Sequence, residues 1–182
     1  MKILKKLGFI LLTLVALFFI IPLFVDGEYS VRKSVEINKP KQEVFNYVKY
    51  LKNQDEYSVW AQKDPNMKKS YKGEDGEVGF ISAWDSKDEN VGVGEQEIVA
   101  IDEGKKISYE LRFKKPFEAK DNAYISTTAI NSSKTKVTWG FDGKMDYPMN
   151  IFMLFMDMEG MLGPDLQNGL DNMKLNLESG QE

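Results

Sequence analysis

Residues 7–25 run for nineteen positions without a charge, built mostly of Leu, Ile, Phe and Val and broken only by Gly8, Thr13 and Pro22. At about 1.5 Å per residue a helix of that length reaches about 28 Å, close to the ~30 Å hydrocarbon core of a bilayer. No face of it is polar, and we set aside the alternative of a buried core helix on that ground. Lys2, Lys5 and Lys6 precede the run and Asp26 and Glu28 follow it. The positive-inside tendency then keeps the amino terminus cytoplasmic and exports residues 26–182. A cleaved signal peptide is the competing reading. Its apolar stretch is shorter, about 7–15 residues, and ends in a small-x-small site. Here only Val25-Asp26-Gly27 offers such a site, and Asp26 and the bulky Val25 suit it poorly. We therefore expect an uncleaved signal-anchor at residues 1–27 and one domain at 28–182. The protein would be a single-pass membrane protein with that domain on the extracytoplasmic side.

Composition removes whole classes of chemistry. The chain has no His and no Cys, so it builds neither a His-dependent triad, a thiol nucleophile, nor a thiolate or imidazole zinc site. Asp142, Asp146, Asp157 and Asp165 lack the close alternation of a calcium loop, and we expect neither metal nor cofactor. With Lys2, Lys5 and Lys6 in the leader, 21 basic residues face 28 acidic ones over residues 26–182, a net −7. Such a surface suits no nucleic acid and is repelled by anionic headgroups, so a tether rather than charge must hold it at a membrane.

In the exported part, Tyr29, Val31, Lys33, Val35 and Ile37 share one face of a strand. Asn38-Lys39-Pro40 ends it, and Val44, Phe45, Val48 and Leu51 recur at helical spacing. A short polar-aromatic segment, 55–60, leads to the turn residues Asp64-Pro65-Asn66. Six strand-like runs follow at about 69–73, 78–85, 92–101, 105–113, 122–130 and 135–143, separated by Gly, Asn, Asp and Lys. Ile107, Tyr109, Leu111 and Phe113 alternate with polar residues, as do Val137, Trp139 and Phe141, which gives a sheet one apolar and one wet face. Hairpin-sized connectors favour sequential antiparallel pairing. Gly73, Gly76 and Gly79 lie between strands with no helix following, so they serve turns rather than a phosphate. Beyond Pro148 the period turns helical through Phe152, Phe155, Glu159, Leu162, Leu166, Leu170, Met173 and Leu177, with Pro164 expected to kink or restart the helix.

This order, with Ser34-Val35-Glu36-Ile37-Asn38-Lys39-Pro40, Val44-Phe45, Trp60, Asp64-Pro65, Gly92-Val93-Gly94-Glu95-Gln96-Glu97-Ile98, Val137-Thr138-Trp139-Gly140-Phe141 and Gly169-Leu170, resembles the START-like (SRPBCC) superfamily, specifically its polyketide cyclase/dehydrase and lipid transport branch. The resemblance implies an α+β helix-grip fold. A curved antiparallel sheet of about seven strands would wrap a long C-terminal helix, behind one transmembrane helix. It also implies a hydrophobic cavity between sheet and helix. These motifs mark a fold rather than a reaction. The chain departs from a typical cyclase of the family in having no His, which leaves acid-base chemistry to carboxylates, Tyr or Arg.

Trp84, Tyr109, Phe113, Trp139 and Phe141 from strands, with Phe152 and Phe155 from the long helix, are the candidate lining of such a cavity. The same residues equally serve as plain core. Tyr109, Tyr124 or Glu159 would orient a guest. Glu159 is the weak catalytic candidate, because it lies on the stripe with Phe152 and Phe155, though it also fits the flank of that stripe. Glu95 and Glu97 share one strand face, but the apolar parity around them does not say which. Met149, Met153 and Met156 fit either packing under the first helices or a soft lip at the cavity mouth. The expected function is a membrane-tethered module that holds or transfers a hydrophobic small molecule, lipid-like or aromatic. The alternatives are a cyclase, hydratase or hydrolase using a pocket carboxylate and tyrosine, and a domain that recognises another envelope protein.

Overall fold

The computed structural model describes residues 2–179. Helix α1 (Lys2–Ile20) passes into a 3-10 turn at Ile21–Phe24, where Pro22 removes one backbone donor. Together they form the one span among the described residues that is long and apolar enough to cross a membrane, a property that N-terminal signal sequences share.

Strand β1 (Glu28–Ile37) comes next, and α2 (Lys41–Lys49) starts directly after Pro40. Val44, Phe45 and Val48 of α2 are buried, as their spacing requires. A 3-10 turn at Leu51–Asn53 leads into two short helices, α3 (Gln54–Tyr57) and α4 (Val59–Lys63). The remaining strands are β2 (Lys68–Lys72), β3 (Ile81–Asp85), β4 (Val93–Asp102), β5 (Lys106–Lys115), β6 (Ala119–Asn131) and β7 (Lys134–Lys144). From β2 to β7 each strand pairs antiparallel with the next, and β1 joins at the far edge, beside β7. Helix α5 (Met158–Glu178) closes the chain. Seven strands and a long terminal helix make the expected α+β helix-grip fold.

The chain divides into two compact units. One joins the chain up to Tyr29 with residues Gly143–Asp157. The other joins Ser30–Asp142 with the residues from Met158 on, and it holds the hydrophobic core. There the sheet's inner face, including Ile98, Ile107, Ile125 and Val137, packs with Phe45 of α2 and with Leu166, Leu170 and Met173 of α5. Each such side chain contributes roughly 1.5–3 kcal/mol on burial.

The long helix begins later than its apolar period predicts. Met149–Leu154 form a 3-10 turn, and the carbonyl of Phe152 accepts from the N–H groups of both Phe155 and Met156, at 2.9 and 3.0 Å. An unbroken apolar run carries no phase information, so the apparent stripe from Phe152 to Glu159 arose by chance. Pro164 lies inside α5 without restarting it.

Candidate functional site

Strand alternation decides what the inner face of the sheet presents. On β4, Gly94, Gln96 and Ile98 turn inward, and on β5 the inward set is Ile107, Tyr109, Leu111 and Phe113. Register then brings Ser82 of β3, Gln96 and Leu111 side by side. These three border a partly open cavity of about 270 Å³ within the larger unit, lined on its other sides by α3, α4 and α5 and by Met67, Asn90 and Val91.

All three tryptophans of the chain line it. Trp139 on β7 meets Tyr57 edge-on at 5.7 Å and Trp60 at 6.1 Å. Trp84 on β3 donates its Nε1–H to the Val91 carbonyl at 3.2 Å and packs edge-on against Phe113 at 6.0 Å. Edge-to-face pairs of this kind add to simple burial and fix ring orientation. Two glycines make room for the indoles. A β-carbon on Gly94 would stand 2.7 Å from Trp84, and one on Gly169 of α5 would stand 2.8 Å from Trp139.

The polar groups of the wall are few. Asp55 and Lys69, the only charged side chains among the described lining residues, pair at 2.8 Å. The Asp55 carboxylate also accepts from the Tyr71 hydroxyl at 3.1 Å. Gln96 is 9% exposed, and its amide has no hydrogen-bond partner among the described residues. The Ser58 hydroxyl is likewise unpaired, and so is the buried amide nitrogen of Gln54. Native proteins leave few polar groups of the interior unpaired, and the Gln96 amide and Ser58 hydroxyl, which line the cavity, are the two that a guest could satisfy. Behind the wall the hydroxyls of Tyr57 and Tyr109 are also buried without partners. Burial pushes both well above the usual tyrosine range; for Tyr57 its neighbours Tyr109 and Tyr47 add to this, while the nearby Gln54 amide opposes it without reaching hydrogen-bond geometry.

Residues 28–178 match the sequence model of the family described as polyketide cyclase / dehydrase and lipid transport. The chain belongs to that family. Comparison with curated proteins gave no match. Among solved structures the fold is similar to truncated norcoclaurine synthase from Thalictrum flavum, at 10% identity over 87% of this chain and 97% of that one, with a TM-score of 0.61. The crystal structure of Ara h 8.0201 aligns at 13% identity over 85% and 100% of the two chains, with a TM-score of 0.57. A solution structure from Thermobifida fusca aligns at 18% identity over 82% and 95%, with a TM-score of 0.51. These likenesses concern the fold.

In this polyketide cyclase/dehydrase family domain, four of the nine sequence-predicted site residues border the cavity: Trp84, Phe113, Trp139 and Phe141. The other five stand elsewhere. Tyr109 turns inward but is sealed in the core. Tyr124 stands on the outer face, where its ring covers Gly140 and lies 4.3 Å beneath the Lys106 ammonium. Its even position on β6 puts it opposite Ala123 and Ile125, a one-residue parity shift. Phe152 falls in the 3-10 segment and Phe155 in the turn that caps it, both ahead of α5, and Phe155 is 81% exposed. Glu159, in the first turn of α5, is exposed and pairs with Lys33 of β1. Glu95 and Glu97 also face outward, where Arg112 bonds Glu95, Glu97 and Glu110 at 2.7, 2.8 and 2.7 Å. The polar groups that sequence reasoning missed are Gln54, Ser58 and Gln96. The signal for Gln96 was present: Arg112 alternates with Leu111 and Phe113, so its acidic partners across the hairpin must share the wet face, which turns Gln96 in.

Proposed function

We propose that this protein is a membrane-tethered binding module that takes a small aromatic molecule carrying a hydrogen-bonding group into the cavity between the sheet and α5. The unpartnered Gln96 amide, set in a wall of tryptophans, is the observation that carries this reading. A purely hydrocarbon guest would leave that amide dry and unpaired, at a cost of about 1–3 kcal/mol. A phenol, carbonyl or carboxylate satisfies it. Size points the same way, because about 270 Å³ lies just below the ~300–1,000 Å³ usual for small-molecule pockets and suits one compact ring system better than a two-chain lipid. One structural neighbour, norcoclaurine synthase, was solved with dopamine and hydroxybenzaldehyde, hydroxylated aromatics held on the same fold.

Binding is favoured over acid-base catalysis by the absence of a free titrating group among the described lining residues: Asp55 and Lys69 neutralise each other. The tether is α1, uncleaved, with Lys2, Lys5 and Lys6 cytoplasmic and the cavity domain outside.

Purified full-length protein in detergent, titrated with 2-naphthol, should show saturable quenching of tryptophan fluorescence, and native mass spectrometry should find a guest retained from the cell. Protein that is reproducibly empty and silent to naphthol, naphthoate and fatty acids alike refutes the proposal.

A further inference from the structure

The smaller unit presents an apolar surface that neither the cavity nor the helix span accounts for. Asn150, nearly buried, donates through Nδ2 to the carbonyls of both Pro22 and Val25, each at 2.8 Å. Its neighbours reinforce the clasp. Met145 N–H donates to the Gly27 carbonyl at 3.0 Å. A β-carbon on Gly27 would come within 2.2 Å of the Met145 carbonyl oxygen. The Tyr147 hydroxyl donates to the Phe19 carbonyl at 3.1 Å. Segment 145–150 is therefore strapped along the last turns of the apolar span and the residues just after it, with Tyr147 and Asn150 reaching into the span itself. Phe19 precedes the end of that span at Phe24 by five residues, roughly 7–9 Å of helix. Next to this strap, Met149, Phe152, Leu154 and Phe155 point into open space, Phe155 most of all. A soluble surface does not group four large apolar side chains without a partner.

We propose that Met149–Leu154 and Phe155 form a second membrane contact, an apolar wedge that enters the same leaflet as the C-terminal end of the α1 span. This rests on α1 spanning a bilayer. If it does, the Tyr147 bond to Phe19 puts the strap at the depth where interfacial segments lie, about 5–10 Å into the headgroup and acyl boundary. Tyr147 there has its hydroxyl satisfied and its ring in the zone that membrane tyrosines occupy. Asp146 and Asp157 bracket the wedge and set how far it sinks, because neither carboxylate enters hydrocarbon cheaply. The occupant is lipid rather than protein because the patch is continuous with a surface that is itself lipid-facing.

The chain has no cysteine, so Phe155→Cys and Leu14→Cys each give a single attachment site for an environment-sensitive fluorophore. Full-length protein would be reconstituted into phosphatidylcholine vesicles containing lipid spin-labelled either near the headgroup or deep in the acyl chain. The Phe155 site should be quenched several-fold more by the shallow label than by aqueous iodide, and the Leu14 site most by the deep label. Asn150→Ala should loosen the strap and cut the shallow quenching at Phe155 while leaving Leu14 unchanged. Leu154→Cys repeats the measurement should Phe155→Cys fold poorly. Lipid quenching at Leu14 with iodide quenching at Phe155 overturns the wedge and leaves the tether standing. Iodide quenching at both overturns the tether as well. Shielding of Phe155 from both quenchers would show a protein partner or second copy on the patch, which also overturns the proposal.

Discussion

Gly169 of α5 backs onto the Trp139 indole so closely that a β-carbon would lie 2.8 Å from the ring, well inside van der Waals contact. Replacing a helical glycine by alanine ordinarily gains about 0.5–1 kcal/mol. Here overpacking, typically about 1–3 kcal/mol, opposes it. We expect Gly169→Ala to be destabilised by about 1 kcal/mol in urea unfolding, with a shifted Trp139 emission, whereas a stabilised variant would show that the indole moves freely.

Gln96→Leu separates the polar anchor from the apolar wall. The variant should bind 2-naphthol about tenfold more weakly and naphthalene equally or better, since roughly 1.4 kcal/mol corresponds to one hydrogen bond lost. Its stability should be equal or higher, because the leucine extends the apolar wall where the amide made no hydrogen bond within the protein. Unchanged discrimination, read by competition against tryptophan quenching, would mean that Gln96 does not touch the guest.

Alkaline pH should weaken the fold through its tyrosines. Burial is the main cause that holds Tyr57 and Tyr109 high and pushes Tyr47 and Tyr71 up to about 12. In the unfolded chain these groups release protons near pH 10. Between that pH and their folded values the unfolded state therefore binds fewer protons than the folded one, and stability falls as pH rises. Below pH 10 the contribution is complete. Tyrosinate absorbance should show an amplitude withheld until unfolding, smaller in Tyr109→Phe. That variant should be as stable as the parent or more so, since the lost hydroxyl bonds nothing.

Arg112 holds three carboxylates on the wet face. Lys114 and Arg112 keep Glu95 below the usual carboxylate range, and Lys120 and Arg112 do the same for Glu110. A depressed carboxylate contributes stability that is present above its unfolded value and lost as pH falls through the folded one. Arg112→Ala should cost roughly 1–2 kcal/mol at neutral pH, from three shielded pairs left as repelling acids. The difference should shrink below pH 4 and in high salt, measured by urea midpoints under each condition.

Topology has its own readout. Ser133→Cys places a thiol in the exposed β6–β7 turn, and a membrane-impermeant maleimide should label it in intact spheroplasts. Labelling only after lysis would reverse the orientation proposed for α1.

Much of the fold was legible because it rests on periods. Two-residue alternation located β5 and β7, three- and four-residue recurrence located α2 and most of α5, and turn residues supplied the breaks. The cavity's aromatics on β5 and β7 followed from the same alternation, whereas Trp84 on β3 followed from its strand-like run alone. What failed shares one physical cause: periodicity is silent where every residue is apolar or where polar and apolar sit on both parities. The 149–156 run had no polar face to set a helical phase, so Phe152 and Phe155 were assigned to the wrong element. Gln96 stood between glutamates whose facing depends on Arg112, a contact made across a hairpin rather than along the chain. Glu159 shared the phase of the stripe, yet the helix starts at its doorstep, and Lys33 draws it outward.

Only Val25, Asp26 and Gly27 separate the end of the apolar span from β1. Fully stretched, three residues cover about 10 Å. On the proposed reading of α1 as an uncleaved anchor, a domain held on so short a leash would be a fixed berth rather than a ferry. On the proposed tether a guest would have to come to the site, and onward delivery would require a mobile recipient to come to the dock.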